Sequence, residues 1–140
     1  MRISVSKYLL LIICVICFFN SSVGQVSFQR TIGGTLNESV YSFTETGSGY
    51  LFVGATNSAG AGNEDILIIE TDFNYNILTS LTLGGSQDDF PRSVIKCQDG
   101  GYAIIGSTYS YGAGNEEIIL IKLSQTLSLS WVRTYGGSAT

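Results

Sequence analysis

One stretch of this chain occurs twice in register, and that limits the fold more than anything else in it. Gly49-Tyr50-Leu51-Phe52-Val53-Gly54 is followed by Gly60-Ala61-Gly62-Asn63-Glu64-Asp65 and the apolar run Ile66-Leu67-Ile68-Ile69. Gly101-Tyr102-Ala103-Ile104-Ile105-Gly106, Gly112-Ala113-Gly114-Asn115-Glu116-Glu117 and Ile118-Ile119-Leu120-Ile121 lie 52 residues further on. A period of this length implies an array or a ring of similar units. Gly33-Gly34, Gly84-Gly85 and Gly136-Gly137 mark one point of the period three times, so the repeats run over about 33–84 and 85–136 and a third is truncated. The one-residue difference between the 51- and 52-residue spacings is expected near Asn37-Glu38 and Gln87-Asp88-Asp89, in a loop.

Each repeat reads as four strands. Short aromatic and β-branched runs alternate with Gly, Asn, Ser and Asp clusters, and no helical period of useful length occurs. The first copy gives Val40–Thr46, Tyr50–Ala55, Ile66–Thr71 and Ile77–Leu83. The second gives Ser93–Gln98, Tyr102–Ser107, Ile118–Leu123 and Leu129–Tyr135, and a leading strand is expected over Val26–Ile32. The Gly-Gly pairs are expected to supply positive φ for tight reversals. Asp99-Gly100 is expected to form a type I′ hairpin turn. The third strand of each copy is nearly all apolar, which calls for cover on both faces. The fold class is therefore all-β: antiparallel four-stranded blades of a β-propeller, two full repeats plus partial flanking strands in an incomplete ring.

Trp131–Ser138 (Trp-x-x-x-Tyr-Gly-Gly-Ser), Asp99–Thr108 (Asp-Gly-Gly-Tyr-x-x-x-Gly-Ser-Thr) and Gly112–Glu117, with Gly33-Gly34, Gly49–Thr56 and Gly60–Asp65 in the first copy, carry a resemblance. The pattern resembles a β-propeller repeat of large secreted and cell-surface proteins of Bacteroidetes-type bacteria. The resemblance spans nearly all of 25–140. It implies architecture and says little about activity. Propellers have four or more blades, so two repeats read as an amino-terminal fragment or as a short chain that closes a ring by self-association.

Residues 1–24 have the three parts of a secretory signal peptide. Arg2 and Lys7 start it, Tyr8–Phe19 is an apolar run of twelve, and Asn20–Gly24 is small and polar, so cleavage is expected between Gly24 and Gln25. As a helix the run would span only about 18 Å, against roughly 30 Å of bilayer core, which disfavours an uncleaved anchor. Cys14 and Cys17 each follow Ile, which disfavours a lipoprotein signal. Cleavage leaves five basic residues against eleven acidic ones and Cys97 as the lone thiol. That balance excludes a nucleic-acid or anionic-membrane partner and leaves no internal disulfide. Localisation is expected to be secreted or at the cell surface.

No catalytic constellation is present. The chain has no His, so Cys97 has no histidine base and zinc has no usual ligand set. Cys97 reads as a small half-buried residue. The loops Gly60–Asp65 and Gly112–Glu117 combine glycine, asparagine and carboxylates as calcium loops do, but without EF-hand spacing, so shaped turns with solvated acids are the plainer reading. Asp88-Asp89 and Glu116-Glu117 cannot face one substrate as a hydrolase pair, since neighbours on a strand point apart. Tyr109, Tyr111 and Trp131 could stack on a sugar. The counterparts of Tyr109 and Tyr111, Asn57 and Ala59, are not aromatic, which favours turn filling. Asn37-Glu38-Ser39 fits a glycan acceptor, relevant only in a eukaryotic secretory route.

The functional expectation is a non-enzymatic binding or adhesion scaffold, with no catalytic residue, metal or cofactor and with a protein or carbohydrate ligand. Self-association through open blade edges is expected. The alternatives are part of a propeller enzyme with its catalytic groups in other blades, and a structural spacer. Aromatic and polar residues that differ between blades at one loop level would favour binding over spacing.

Overall fold

Eight strands form in chain order: β1 Glu38–Glu45, β2 Gly49–Thr56, β3 Asp65–Asp72, β4 Ile77–Leu83, β5 Asp89–Lys96, β6 Tyr102–Thr108, β7 Glu117–Leu123 and β8 Leu129–Tyr135. The structure is a computed structural model that describes residues 29–113 and 115–137. The signal-peptide expectation, with Gly24 and Gln25, lies outside the described residues. Gln29–Ile32, the described end of the expected leading strand, is not in strand. Among the described residues there is no helix long and apolar enough to cross a membrane.

The strands make two antiparallel meanders, ordered β1-β2-β3-β4 (sheet I) and β5-β6-β7-β8 (sheet II). The all-β, blade-like architecture is thus the one the repeat implies. The registers are equivalent: Phe43 pairs with Phe52 and Phe52 with Ile69, as Val94 pairs with Ile104 and Ile104 with Ile121. β5 begins four residues earlier than expected, because Pro91 does not stop it. A missing N–H is tolerated on an edge strand next to a bulge, and the register slips between Pro91 and Ser93, as it does between Val40 and Ser42 in β1. The two bulge residues meet, with the Arg92 guanidinium 5.8 Å from the Tyr41 ring centre.

The turns correct two expectations. Cys97 N–H donates to Gly101 O (2.8 Å), Gly100 N–H donates to Cys97 O (3.0 Å), and Gly100 alone of the turn residues has positive φ (+82°). This is a three-residue loop with its last residue in the left-handed region, not a type I′ turn, which needs two such residues. The β3–β4 and β7–β8 hairpins repeat the bonding, with Tyr75 (φ +62°) and Leu127 (φ +60°) in that place. The corresponding β1–β2 turn, Thr46–Gly49, is one residue shorter. Glu45 pairs with Tyr50 there as Lys96 pairs with Tyr102, so the extra residue of the second repeat lies in the β5–β6 turn and not near Asn37 or Asp88.

The core lies between the sheets. Sheet I supplies Leu51, Val53, Ile66 and Ile68, all fully buried, and sheet II supplies Val94, Tyr102, Ile104, Ile119, Ile121 and Leu123. Each such side chain stabilises by about 1.5–3 kcal/mol through the area it removes from water. Ser42 Oγ accepts the Val94 N–H across the interface at 3.3 Å. In repeat terms the two contributing faces are opposite ones, since Ile104 corresponds to Phe52 and not to Val53. Sheet I keeps Phe43, Tyr50, Phe52, Phe73 and Tyr75 together on its other face. Sheet II leaves Ile95, Ile105 and Ile118 exposed on its other face. β7 therefore has cover on one face only, where two-sided cover was expected.

Candidate functional site

The loops after β2, β4 and β6 meet at one end of the sheets, and they gather the acids. Successive strands run in opposite directions, so these three connections share an end while the short hairpins share the other. Glu64 O accepts the Asp89 N–H (2.7 Å), Glu64 N–H donates to Asp88 Oδ1 (3.2 Å), and Gln87 N–H donates to Ser110 Oγ (3.0 Å). The three loops are thereby stitched to one another.

Asp65, the first residue of β3, and Asp89, the first residue of β5, are buried there, at 1% and 0% exposure. Gly62 N–H donates to Asp65 Oδ2 (3.0 Å). Gly85 N–H (2.8 Å) and the Ser110 hydroxyl (2.7 Å) donate to Asp89 Oδ2. The Oδ1 atoms of both residues are buried with no hydrogen-bond partner. Gly84 lies between them: a Cβ at Gly84 would overlap Asp65 Oδ1 and sit 2.9 Å from Asp89 Oδ2. None of the glycines in the Gly33-Gly34, Gly84-Gly85 and Gly136-Gly137 pairs has positive φ. Gly33, Gly34, Gly84, Gly85 and Gly136 are closely approached by side chains, which explains the glycines there without a chain reversal, while among the described residues nothing lies within 4 Å of a Gly137 Cβ. Gly60 and Gly112 do need glycine for conformation, with φ of +112° and +115°.

The same parts recur at the outer ends of the stack. Glu117, buried at the start of β7, accepts the Ala113 N–H (3.1 Å), and its Oε2 is where a Gly136 Cβ would be. Glu38, at the start of β1, lies against Gly33 and Gly34 and accepts from Thr56 Oγ1 (3.1 Å). The hydrogen bond with Ser58, with smaller help from Gly34 and Thr56, holds its carboxyl below the usual range against desolvation.

The solvated-acid reading of these loops is therefore half corrected. Glu116 is exposed and Glu64 and Asp88 are partly so, but their neighbours Glu117, Asp65 and Asp89 turn inward. Alternation along a strand does this, which also keeps either adjacent pair from acting on one substrate. Sequence reasoning missed the pairing of Asp65 with Asp89, which lie 24 residues apart. The signal was available: an acid stands at the start of the third strand in both copies, and four residues after Gly34 and Gly85. Among the described residues no group of three His, Cys, Asp or Glu side chains is placed to hold a metal.

Tyr111 donates its hydroxyl to Gly84 O (2.7 Å). The Tyr109 phenol is raised above its usual range, chiefly by its hydrogen bond with Glu116. Both rings are bound into the loop end while staying partly exposed, at 47% and 37%. In sheet I the same level carries Asn57, whose Nδ2 donates to Asn63 O (2.8 Å), and Ala59. Trp131 lies apart from the loop end, on the open face of sheet II opposite Lys122, with the Arg133 guanidinium 5.1 Å from its ring centre. Cys97 is a free, half-buried thiol at the β5–β6 turn. An apolar groove of about 430 Å³ opens between Leu83, Gly84 and Tyr111 on one side and Ile119, Ile121 and Leu129 on another. Compared with known proteins, the chain matches no family model and no curated protein.

Proposed function

We propose that this chain is an exported, non-catalytic repeat scaffold, that its two sheets are blades of a β-propeller, and that its role is to bind a protein or carbohydrate at the cell surface. One observation carries binding over spacing. Equivalent loops of the two sheets stand at one end and at one level, yet one presents Tyr109 and Tyr111 where the other presents Asn57 and Ala59. A spacer needs only the stacking faces repeated; a binding rim varies where it meets its ligand. The propeller reading is supported by the equivalent registers and by the stacking of opposite repeat faces, which leaves an apolar face on each outer side. Fold analogy alone does not supply an activity.

The export part is tested by expressing the full chain with its own leader and weighing the released protein. A mature chain beginning at Gln25 supports it; retention of residues 1–24 in the cell rejects it. The binding part is tested on immobilised neutral glycans and surface-protein extracts, with Tyr109→Ala/Tyr111→Ala as the paired variant. Loss of retention by at least tenfold in that variant, with an unchanged melting curve, supports the rim. Equal retention, or none by either protein, rejects it.

A further inference from the structure

The geometry points to a hard divalent cation, calcium by chemistry, held between Asp65 and Asp89 at the junction of the two sheets. Both side chains are almost wholly shielded from water, and each has one oxygen without a partner. The ion pair that the described residues form, Lys122 with Asp99, involves neither of them. Two like charges taken out of water with no counter-charge are strongly unfavourable, and removing the deficit requires positive charge at the site.

A proton would be the smallest source of that charge, but it answers only half of the need. Each carboxylate already accepts a loop N–H on its other oxygen, and Asp89 accepts the Ser110 hydroxyl as well. One shared proton would discharge one of them. A divalent cation would neutralise both and give both orphaned oxygens a partner.

The surroundings suit an oxygen-seeking ion. Gly84 has no side chain, and Asp65 Oδ1 lies where its Cβ would be, a point 2.9 Å from Asp89 Oδ2, so the two carboxylates come together against it. The carbonyl oxygens of Gly85 and Gln87 face Gly62 in the adjoining loop. Calcium accepts carboxylate, backbone carbonyl and water oxygens in a flexible shell, so two carboxylates need not complete it alone. No thiolate or imidazole is at hand to favour a softer metal. The cation would cross-link sheets I and II, one carboxylate from each, which makes it a clamp on their stacking.

The experiment uses the full chain stripped with chelator and melted with and without millimolar calcium. Saturating calcium is expected to raise the melting temperature by about 5 °C or more, since a ligand that binds only the folded state stabilises it by mass action. Magnesium, which demands a stricter octahedral shell, is expected to raise it less. Asp65→Asn is expected to abolish the response, while Glu64→Gln/Asp88→Asn, which removes the outward-facing acids, is expected to keep it. Wild-type protein supplies a readout that does not depend on any variant folding. Tyr111 hydrogen-bonds Gly84 O beside the site, so terbium bound there is expected to emit when tyrosine is excited, and calcium to quench that emission by displacing it. Absence of both the calcium shift and the emission overturns the proposal. So does an unaltered response in Asp65→Asn.

Discussion

Val53 and Ile105 occupy the same place in their repeats, as do Ile66 and Ile118. Val53 and Ile66 are wholly buried, whereas Ile105 and Ile118 are 46% and 52% exposed. Phe43 and Val94 reverse the order, at 61% and 4%. Composition cannot explain the contrast, because all six residues are apolar. Each sheet has two apolar faces, and burial depends on whether another sheet lies against that face. The repeat therefore encodes stacking, and each sheet alone fills only half of the pattern it carries.

The most forceful way to break this comparison is to shorten equivalent side chains. Ile66→Ala is expected to cost about 2–5 kcal/mol in urea unfolding at constant m, and Ile118→Ala about 1 kcal/mol or less. Equal costs would mean that the outer face of sheet II is covered in solution. A second variant sharpens the same point. Ile105→Lys with Ile118→Lys sets two further cations beside Lys122 on that face and is expected to leave the light-scattering mass unchanged, as an uncovered face requires. The melting temperature should stay within a few degrees.

The two β1–β2-type turns offer a smaller contrast of opposite sign. Gly100→Ala is expected to cost about 1 kcal/mol, since its φ is left-handed although a Cβ would meet Gln125 only at ordinary contact distance. Gly47→Ala, with no positive φ and nothing within 4 Å, is expected to gain about 0.4–1 kcal/mol through the unfolded chain. The smallest effect is in acid. The Lys122 hydrogen bond, helped by Gly101 N–H, lowers the Asp99 carboxyl. A depressed carboxylate stabilises above its unfolded pKa, near 3.8, and that contribution is lost as pH falls through the folded value. Lys122→Met should flatten this part of the acid limb slightly. In sheet I the position carries Glu70, which accepts from Ser48 Oγ (3.0 Å).

Much of the fold was legible because its causes are local. Alternation, apolar third strands and turn residues gave all eight strands and their grouping into two sheets. β5 starts four residues before the expected Ser93, running through Pro91 and Arg92, and only pairing with β6 shows an edge strand with a bulge. The Gly-Gly pairs were assigned to the right place for the wrong cause. Close approach by Asp65, Ser110 or Glu117 is a property of the assembled loops and not of the chain around the glycines. The buried acids escaped for the same reason. A carboxylate in a Gly-Asn loop reads as solvated until a second loop, from the next sheet, closes over it.

The stacking also gives the molecule a direction. Sheet I meets sheet II through unlike faces, so the pair has a front and a back that differ, as a brick with a stud above and a socket below. A contact of that kind has no two-fold axis, so two copies meeting by it would leave one front and one back still open. Growth by this rule ends only when accumulated rotation brings the last front to the first back; otherwise it runs on as a filament. The angle between successive sheets, more than the strength of their contact, decides between a finite particle and a fibre.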